Sequence, residues 1–398
     1  MRRRLRAYAA LLACGLAVGC GRDGEGTPTV IDSGVAERLR ALGYVDFVEE
    51  ERAPGRDGVV VHDADRVAPG VNVHCSVGSN EVRFLDNEGR VLHRMELGLE
   101  TRNTDCVVEP YDRGRLVVLS TPAIGVVTWG SRLLWSRSNE YHHDFAVGPS
   151  GEIHTFSEQI GPLAYLGREV PIADQWLTTL GPDGEVRRRI HLQPLLRDRI
   201  DPARLRAVLT LFRTAGPESD PYREASDVFH PNSVELLTRH SALGEPGQAL
   251  ICLRELDLVA VVDLEEPRIV WEWGPGELDR PHQPTVLPSG NLVIFDNGTN
   301  RGYSRLVEVD PATREIVWEY RGDPPESFWS WIRGGVQPLA NGNLLVTEST
   351  RGRVFELTRE GDVVWELWNP DRTPEGDVRK QIYRLIRLDP EAWEALRP

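Results

Sequence analysis

Three short segments of the chain end in tryptophan and follow one another at a constant interval. Trp271 lies in EEPRIVWEW, Trp318 in ATREIVWEY and Trp365 in EGDVVWELW, so that consecutive tryptophans are 47 residues apart. A period of this size, with strand-forming residues around each marker, is typical of a β-propeller, in which every blade repeats one four-stranded sheet. The chain is therefore expected to fold as a ring of blades.

The same segment occurs three more times in weaker form. His93, Trp135 and Arg188 take the tryptophan position in NEGRVLHRM, GSRLLWSR and DGEVRRRI. Successive markers are separated by 42, 53, 83, 47 and 47 residues, and only the 83-residue gap is out of line. Short Val-, Ile- and Leu-rich runs between Gly, Pro, Asp and Asn are typical of an all-β chain. We predict an all-β, six-bladed β-propeller over residues 56–385, followed by a C-terminal tail at 386–398.

The long gap contains an insertion that breaks the strand pattern. Residues 193–227 include DPARLRAVLTLFR, in which an Asp-Pro start signal precedes Leu and Val at helical spacing. A short amphipathic helix is predicted here. It could cover the mouth of the channel, contact a second copy of the chain or simply decorate the surface.

Histidines recur at equivalent positions of successive units. Glycine-centred turns in PSGEIHTF, PSGNLVIF and ANGNLLVT predict two-residue hairpin turns. Eight residues before two of these glycines stand His143 in YHHDF and His282 in RPHQP, and before the third stands Gly334. His230 begins the equivalent strand of the fourth unit, in FHPNSVELL. Because equivalent positions of successive blades face the same way, the three imidazoles are expected to meet at one mouth of the central channel.

The N-terminal residues have the composition of an export signal. A basic MRRRLR segment precedes an apolar run, too short to span a membrane, that ends in LAVGC at 16–20 and resembles a bacterial lipobox. We predict a lipoprotein signal peptide at 1–19, lipidation of Cys20, and a tether with a short helix at 20–55. The mature chain is expected in the periplasm, lipid-anchored to the cell envelope, and Gly21 after the cysteine favours the outer membrane. An ordinary signal peptide or an uncleaved anchor is the alternative.

Charge and cysteine content narrow the range of partners. Removal of the signal would take away four arginines and no acidic residue, which changes the net charge from −15 to −19. Such an acidic chain predicts no nucleic-acid partner and no membrane contact other than the lipid anchor. Cys75 and Cys106 are expected to pair because their units are neighbours, which leaves Cys252. Cysteines without C-x-x-C spacing do not indicate a zinc site, and no metal or cofactor is expected.

Several of these segments together resemble the PAPS-independent arylsulfotransferase family. The resemblance is carried by FHPNSVELL, RPHQPTVLPSGNLVIFDNG, GYSRLVEVD and LANGNLLVTES, and it runs from about residue 70 to about residue 385. It implies a six-bladed propeller with an active site in the central channel. It also implies transfer of a sulfuryl group from a phenolic sulfate to a phenol through a sulfo-histidine intermediate.

The resemblance assigns roles to residues of this chain. The family's supporting histidines and arginine match His230, His282 and Arg305. His282 is expected to act as nucleophile or principal acid/base, His230 as its acid/base partner, and Arg305 as the clamp on the sulfuryl oxygens. The family's sulfated histidine stands on the last blade, where this chain has Gly334. His143 is the candidate that could replace it.

Polar residues beside these positions are expected to contact the substrate. The set comprises Asn232, Asp296, Asn297, Tyr303 and Ser304. Arg305 could instead pair with Asp296 or Glu308. The adjacent histidines of YHHD (141–144) would point to opposite faces of a regular strand, so they are not expected to share one ion.

Two other functions fit parts of the pattern. VDPATREIVWEY resembles the tryptophan docking unit of quinoprotein dehydrogenases, but those rings have eight blades and vicinal cysteines, whereas six units are counted here. The other alternative is a non-catalytic propeller lipoprotein that binds a ligand or scaffolds envelope proteins. That alternative would explain Gly334, but it leaves the common register of the histidines without a reason.

Overall fold

The computed structural model describes residues 55–99, 105–138, 140–216, 219, 225–373 and 378–398. The predicted signal peptide, Cys20 and the short helix of the tether lie outside these residues. The helices in the described ranges all lack the length and apolar character needed to cross a membrane.

Six antiparallel sheets of four strands, one of them extended by a fifth strand, form the ring. The strands of each blade are given from the axis outward. Blade 1 consists of β25 Ile382–Leu388, β2 Val71–Ser76, β3 Glu81–Leu85 and β4 Val91–Glu96, and blade 2 of β5 Val107–Asp112, β6 Arg115–Ser120, β7 Ala123–Thr128 and β8 Leu133–Arg137. Blade 3 consists of β9 Tyr141–Val147, β10 Ile153–Tyr165, β11 Arg168–Leu180 and β12 Val186–His191.

Blades 4 to 6 repeat the arrangement. Blade 4 consists of β13 Pro231–Leu236, β14 Ala249–Leu253, β15 Leu258–Asp263 and β16 Arg268–Trp273, and blade 5 of β17 His282–Val286, β18 Leu292–Asp296, β19 Arg305–Val309 and β20 Ile316–Arg321. Blade 6 consists of β21 Gly335–Pro338, β22 Leu344–Glu348, β23 Arg353–Leu357 and β24 Val363–Trp368, with β1 Gly58–His62 outside β24. The helices are α1 Gln193–Leu196, α2 Pro202–Thr214 and α3 Pro390–Leu396, with 3-10 turns at Arg197–Arg199, Arg254–Leu256, Pro325–Ser327 and Ser349–Arg351. The predicted all-β, six-bladed propeller is confirmed.

The residues that mark the repeat join each blade to the next. Each marker side chain donates a hydrogen bond to a carbonyl in the turn between the two outer strands of the following blade, and Trp365 of blade 6 reaches blade 1. The six bonds are His93–Trp129 (3.0 Å), Trp135–Pro182 (2.9 Å), Arg188–Glu265 (2.8 Å), Trp271–Pro311 (3.0 Å), Trp318–Arg359 (3.0 Å) and Trp365–Asn87 (2.7 Å). The sequence period therefore reflects one inter-blade contact, which His93 and Arg188 also supply.

The C-terminal strand closes the ring. β25 is the innermost strand of blade 1 and pairs antiparallel with β2, so the propeller extends three residues beyond the predicted boundary at 385. The rest of the predicted tail is the helix α3, whose N-cap Asp389 accepts a hydrogen bond from the Ala392 amide. Leu396 of this helix is buried in the core between blades 1 and 2.

A disulfide strengthens the same junction. Cys75 in β2 and Cys106, just before β5, are bonded with their Cα atoms 6.1 Å apart. This is the predicted pair, and it links blade 1 to blade 2. Cys252 is free and buried.

The hairpin turns differ from the prediction by one residue. In blade 5 the Leu287 amide donates to the Asn291 carbonyl (2.8 Å) and the Gly290 amide to the Leu287 carbonyl (2.9 Å). The loop thus has three residues, with Gly290 at φ +98° in a position that disfavours any side chain. The predicted two-residue turn is wrong, because a tight turn followed by a left-handed glycine also matches the twist of the strands.

The predicted helical insertion is confirmed, and it packs against a feature that the sequence analysis missed. Asp201 caps α2 by accepting a hydrogen bond from the Ala203 amide (2.8 Å). Strands β10 and β11 are each 13 residues long and extend past Tyr141, the first residue of β9. Leu205 and Val208 of the helix share one apolar cluster with Val170 of this hairpin. Helix and hairpin together form an arm on the face where the inner strands begin.

Candidate functional site

Three imidazoles come together where the inner strands of blades 3, 4 and 5 begin. His143 lies in β9, His230 immediately precedes β13, and His282 is the first residue of β17. The rings of His143 and His230 are in edge contact, with centroids 4.5 Å apart. His282 is near enough that its charge acts on the pKa of His143. The structure thus brings these three predicted residues together at one mouth of the channel.

Unusual backbone conformations aim these side chains. His143 and His230 have left-handed φ angles of +64° and +48°, and Arg333 before β21 has +58°. His143 also lies within a bulge of its inner strand, and His230 and His282 are each followed by one. Left-handed backbone costs a residue with a side chain about 1–3 kcal/mol, and such strain concentrates at functional sites.

The two histidines of YHHD do not face opposite sides of the sheet. Their Nδ1 atoms are 2.6 Å apart, so one ring donates a hydrogen bond to the other. The prediction from strand alternation is wrong because the bulge opposite Thr155 and Phe156 leaves two residues of β9, His143 and Asp144, without a partner in β10, and His143 has a left-handed φ. Among the residues that the structure describes, no group of three His, Cys, Asp or Glu side chains is arranged to hold a metal ion.

A chain of hydrogen bonds fixes the tautomer of His143. The amide nitrogen of Gln175 donates to Glu158 (3.0 Å) and Asp227 (3.4 Å), so its oxygen accepts from Nε2–H of His142 (2.9 Å). Nδ1 of His142 is therefore an acceptor and receives Nδ1–H of His143. This leaves Nε2 of the neutral His143 ring with the lone pair.

The same reasoning fixes the tautomer of His282. The amide nitrogen of Asn297 donates to the carbonyls of Ser330 (2.7 Å) and Arg333, which turns its oxygen towards Nδ1 of His282 at 2.7 Å. Nδ1 of His282 therefore carries the proton, and Nε2 of the neutral ring carries the lone pair.

His230 is held by a carboxylate. Its Nδ1–H donates to Asp227 at 2.6 Å, and its backbone amide donates to the other oxygen at 2.9 Å. Burial alone would raise the pKa of Asp227, but the imidazole charge and hydrogen bond hold it at about 2. The charge on Asp227 and the charge on His230 thus each favour the charged form of the other.

Burial keeps His143 and His282 neutral. It lowers the pKa of His143 and of His282 well below 6.5, and the neighbouring positive charges, Arg254 in the case of His282, add to the effect. Burial also lowers the pKa of His230, but there the Asp227 carboxylate opposes it. Near neutral pH these rings therefore have nucleophilic nitrogens, and His230 is the ring best placed to hold a proton.

Arg305 does not join the histidines. Its Nε donates to Asp296 (2.7 Å), Nη1 to Glu319 (2.8 Å) and Nη2 to the Glu277 carbonyl (2.8 Å). It begins β19, which is the third strand from the axis. The pairing with Asp296, considered from the sequence as the alternative, is the one that the structure has.

Most of the predicted substrate-binding residues contact other protein groups and not the imidazole rings. Asp296 is fully buried and pairs with two arginines, and the Ser304 hydroxyl donates to the Asn297 carbonyl (2.9 Å). Tyr303 lies under a guanidinium group 4.8 Å from its ring centroid. The Asn232 amide donates to a backbone carbonyl of blade 5 (2.8 Å). Of these five residues, Asn297 contacts a histidine of the cluster.

A second layer of charged groups lines the channel on the same inner strands. Arg384 of β25 pairs with Asp144 of β9 at 2.8 Å and lies 4.0 Å from Glu109 of β5. Burial raises the pKa of Glu109 and of Glu235 in β13 to about 7. No pattern in the sequence predicted this layer of charged groups.

No side chain fits at Gly334, where the resemblance places a nucleophile. Its φ is +126°, and an added Cβ would lie 2.6–2.8 Å from ring atoms of Phe295. At Gly335 an added Cβ would meet the amide oxygen of Gln283. The last blade instead brings Arg333 to the mouth of the channel.

Some of the residues that the sequence analysis missed left a signal and others did not. Asp227 stands three residues before His230 in SDVFHP, and His142 stands next to His143 in YHHD. Gln175, which fixes the tautomer of His142, is 33 residues away in the chain, so spacing could not reveal it.

Comparisons with known proteins identify a family and similar folds. The family model of the arylsulfotransferases, described as Arylsulfotransferase (ASST), matches residues 135–370, more than half of the chain. A protein of unknown function from Bacteroides caccae has a similar fold, with 13% identity, a TM-score of 0.54, and coverage of 81% of this chain and 99% of that one. A streptogramin B lyase gives 12% identity, a TM-score of 0.46, and coverage of 85% and 97%. No curated protein matches the chain.

Proposed function

Since the chain belongs to the arylsulfotransferase family, we propose that it transfers a sulfuryl group from a phenolic sulfate ester to a phenol. The reaction would take place at the channel mouth of blades 3 to 5. The observation that carries this proposal is the cluster of His143, His230 and His282, in which each ring holds Nδ1–H in a hydrogen bond. Nε2 carries the lone pair in neutral His143 and His282, while the Asp227 carboxylate stabilises a proton on His230. A nucleophile beside an acid/base group is what covalent group transfer requires.

In the first half of the proposed reaction, Nε2 of His282 attacks the sulfur of the donor. The N–S bond forms as the S–O bond to the phenol breaks, and the electron pair leaves on the phenolate oxygen. That oxygen takes a proton from the His230 imidazolium, which Asp227 stabilises. The products are a free phenol and a sulfo-histidine.

The second half reverses these steps with a new phenol. The acceptor gives its proton to neutral His230 as its oxygen attacks the sulfur. The N–S bond breaks, and its electron pair returns to Nε2 of His282. The acceptor leaves as an aryl sulfate, and both rings return to their starting state. No cofactor is needed, because the energy of the sulfate ester is conserved in the new ester.

His143 is the second candidate for the nucleophile. Its ring touches that of His230, and its Nε2 carries the lone pair in the neutral form. His143 would therefore share the acid/base partner if it took the nucleophile's part. Substitution of each histidine separately decides between the two.

The test is turnover of a nitrophenyl sulfate with a phenol as acceptor. We expect His282→Ala to lower the rate by at least about a thousandfold, with the unfolding temperature nearly unchanged. His240→Ala is the matched control, because that ring is 76% exposed and pairs with Glu245. Full loss in His143→Ala with activity retained in His282→Ala would assign the nucleophile to His143. Retained activity in both variants would refute the mechanism.

A second function is favoured by the last blade. The close approach of Phe295 to Gly334 excludes the histidine that the family resemblance implies. Under this alternative the lipoprotein would bind an aryl sulfate or scaffold envelope proteins without turning its ligand over. Binding of the nitrophenyl sulfate with no release of nitrophenol would support it.

We also propose that the mature chain is a periplasmic lipoprotein, lipid-anchored through Cys20, with the outer membrane as the favoured site. The proposal rests on the LAVGC segment and on Gly21. Cys20→Ser should move the protein from the membrane fraction to the soluble fraction, while Cys14→Ser should not. Unchanged membrane association of the Cys20 variant would contradict the anchor.

A further inference from the structure

Sulfuryl transfer needs positive charge beside the histidines, and Arg305, the arginine that the family resemblance implies, does not supply it there. The transferring group carries negative charge on its oxygens, so fixed cations must meet it. Arg305 has Nε, Nη1 and Nη2 engaged with Asp296, Glu319 and a carbonyl of blade 5, on the third strand from the axis. The charges of two other guanidinium groups, those of Arg333 and Arg254, act on the pKa values of His143 and His282.

Arg333 reaches the imidazole cluster from the last blade. Its carbonyl accepts a hydrogen bond from Asn297, the residue that orients His282. Its guanidinium group donates to Gln381 and lies 5.8 Å from the ring centroid of Tyr383, next to the first residue of β25. Its charge contributes to the lowered pKa of His143. Arg333 thus carries a cation to the last-blade position where a histidine has no room.

Arg254 reaches the cluster from blade 4. It follows β14 directly, its amide donates to the His230 carbonyl (3.1 Å), and its side chain is buried. Glu255, which it contacts at 2.9 Å, is fully buried and also pairs with Arg204 and Arg280. Three guanidinium groups therefore meet at this one carboxylate, next to His230 in the fold.

We propose that Arg254 and Arg333, rather than Arg305, form the anion-binding part of the site and contact the sulfuryl oxygens of the donor. Arg254 is anchored to the His230 carbonyl, and Arg333 to the Asn297 amide that orients His282, so each brings a planar, permanently charged fork to the cluster from a different blade. The inference rests on the proposed function for the identity of the ligand, but the anion site can be tested without turnover.

The test is binding of inorganic sulfate to the full chain by isothermal titration calorimetry. We expect Arg333→Met and Arg254→Met each to weaken the affinity by at least about tenfold, because each removes charged hydrogen bonds to the anion. Arg333→Lys and Arg254→Lys keep the charge and should retain part of the affinity, which guards against loss through misfolding. Arg321→Met is the control, since that residue lies on the outermost strand of blade 5 and is 53% exposed.

A second measurement separates contact with the anion from a structural effect. Removal of the Arg333 charge should raise the pKa of His143, read from its ring-proton resonance in a pH titration, while Arg321→Met should leave it unchanged. The inference is overturned if the wild type binds no sulfate, if both Met variants bind like the wild type, or if Arg305→Met alone abolishes binding. Failure of nitrophenyl sulfate turnover with arginine-dependent sulfate binding intact would refute the transfer reaction and leave the anion site standing.

Discussion

Asp227 offers a way to change one imidazole of the cluster alone. Its carboxylate holds Nδ1–H of His230 at 2.6 Å and the backbone amide at 2.9 Å. Against the effect of burial, these contacts lower its pKa from 3.8 to about 2. That difference corresponds to about 2 kcal/mol in favour of the charged carboxylate in the folded protein. Because the coupling is reciprocal, the carboxylate also acts to raise the pKa of His230, against the effect of burial.

Asp227→Asn keeps the shape of the side chain and removes its charge. We expect the pKa of His230 to fall further, because only burial and the neighbouring positive charges then act on it. Fewer His230 rings would then carry the proton that the departing phenolate needs, and the rate at neutral pH should fall about 10- to 100-fold. The assays are titration of the His230 ring-proton resonance and the pH dependence of nitrophenyl sulfate turnover.

The stability of the variant provides an independent check. A carboxylate with a depressed pKa contributes stability above its unfolded pKa of 3.8, and loses that contribution as the pH falls through about 2. Asp227→Asn should therefore be about 2 kcal/mol less stable at neutral pH, with a smaller difference in strong acid. Glu266→Gln, an exposed substitution on the same blade, is the control. A His230 pKa that is unchanged or raised in Asp227→Asn would refute the reasoning.

Three further predictions concern the ring and the pH range of the reaction. Trp318→Phe removes the inter-blade bond to Arg359 and should lower the free energy of unfolding by about 1 kcal/mol in urea; no loss would contradict the role of the marker. Cys75→Ser removes a disulfide between residues 31 apart and should lower the free energy of unfolding by about 3–4 kcal/mol. A wild-type unfolding temperature that does not change when reductant is added would contradict this prediction. Because burial lowers the pKa of His282 well below 6.5, the acidic limb of kcat/KM should lie below that pH.

The fold could be predicted from the sequence because its period has a physical cause. Each marker residue makes the same hydrogen bond to the next blade, and that requirement is met by Trp271 as well as by His93 and Arg188. The marker position therefore holds a hydrogen-bond donor of the right length even where it does not hold tryptophan. The extended β10–β11 hairpin could not be predicted, because its residues continue the strand pattern of the blade.

The histidines could be found for a similar reason, but their partners could not. His143, His230 and His282 occupy equivalent starts of inner strands, so counting from the turns located them. Asp227 is the last residue of the insertion and Gln175 lies in β11, and no period relates these residues to the cluster.

Arg305 and YHHD show where sequence spacing misleads. Arg305 is near His282 in the chain, but the fold places it on the third strand, away from the axis. Alternation in YHHD fails because a bulge adds two residues to β9 and brings the rings of His142 and His143 together.

The most direct test of the account is the intact mass of the protein after mixing with a nitrophenyl sulfate and no acceptor. We expect the wild type to gain the mass of one SO3 group, located on His282 by peptide mapping, and to lose it when a phenol is added. His282→Ala should gain nothing. Turnover without any adduct, or an adduct outside the imidazole cluster, would contradict the account.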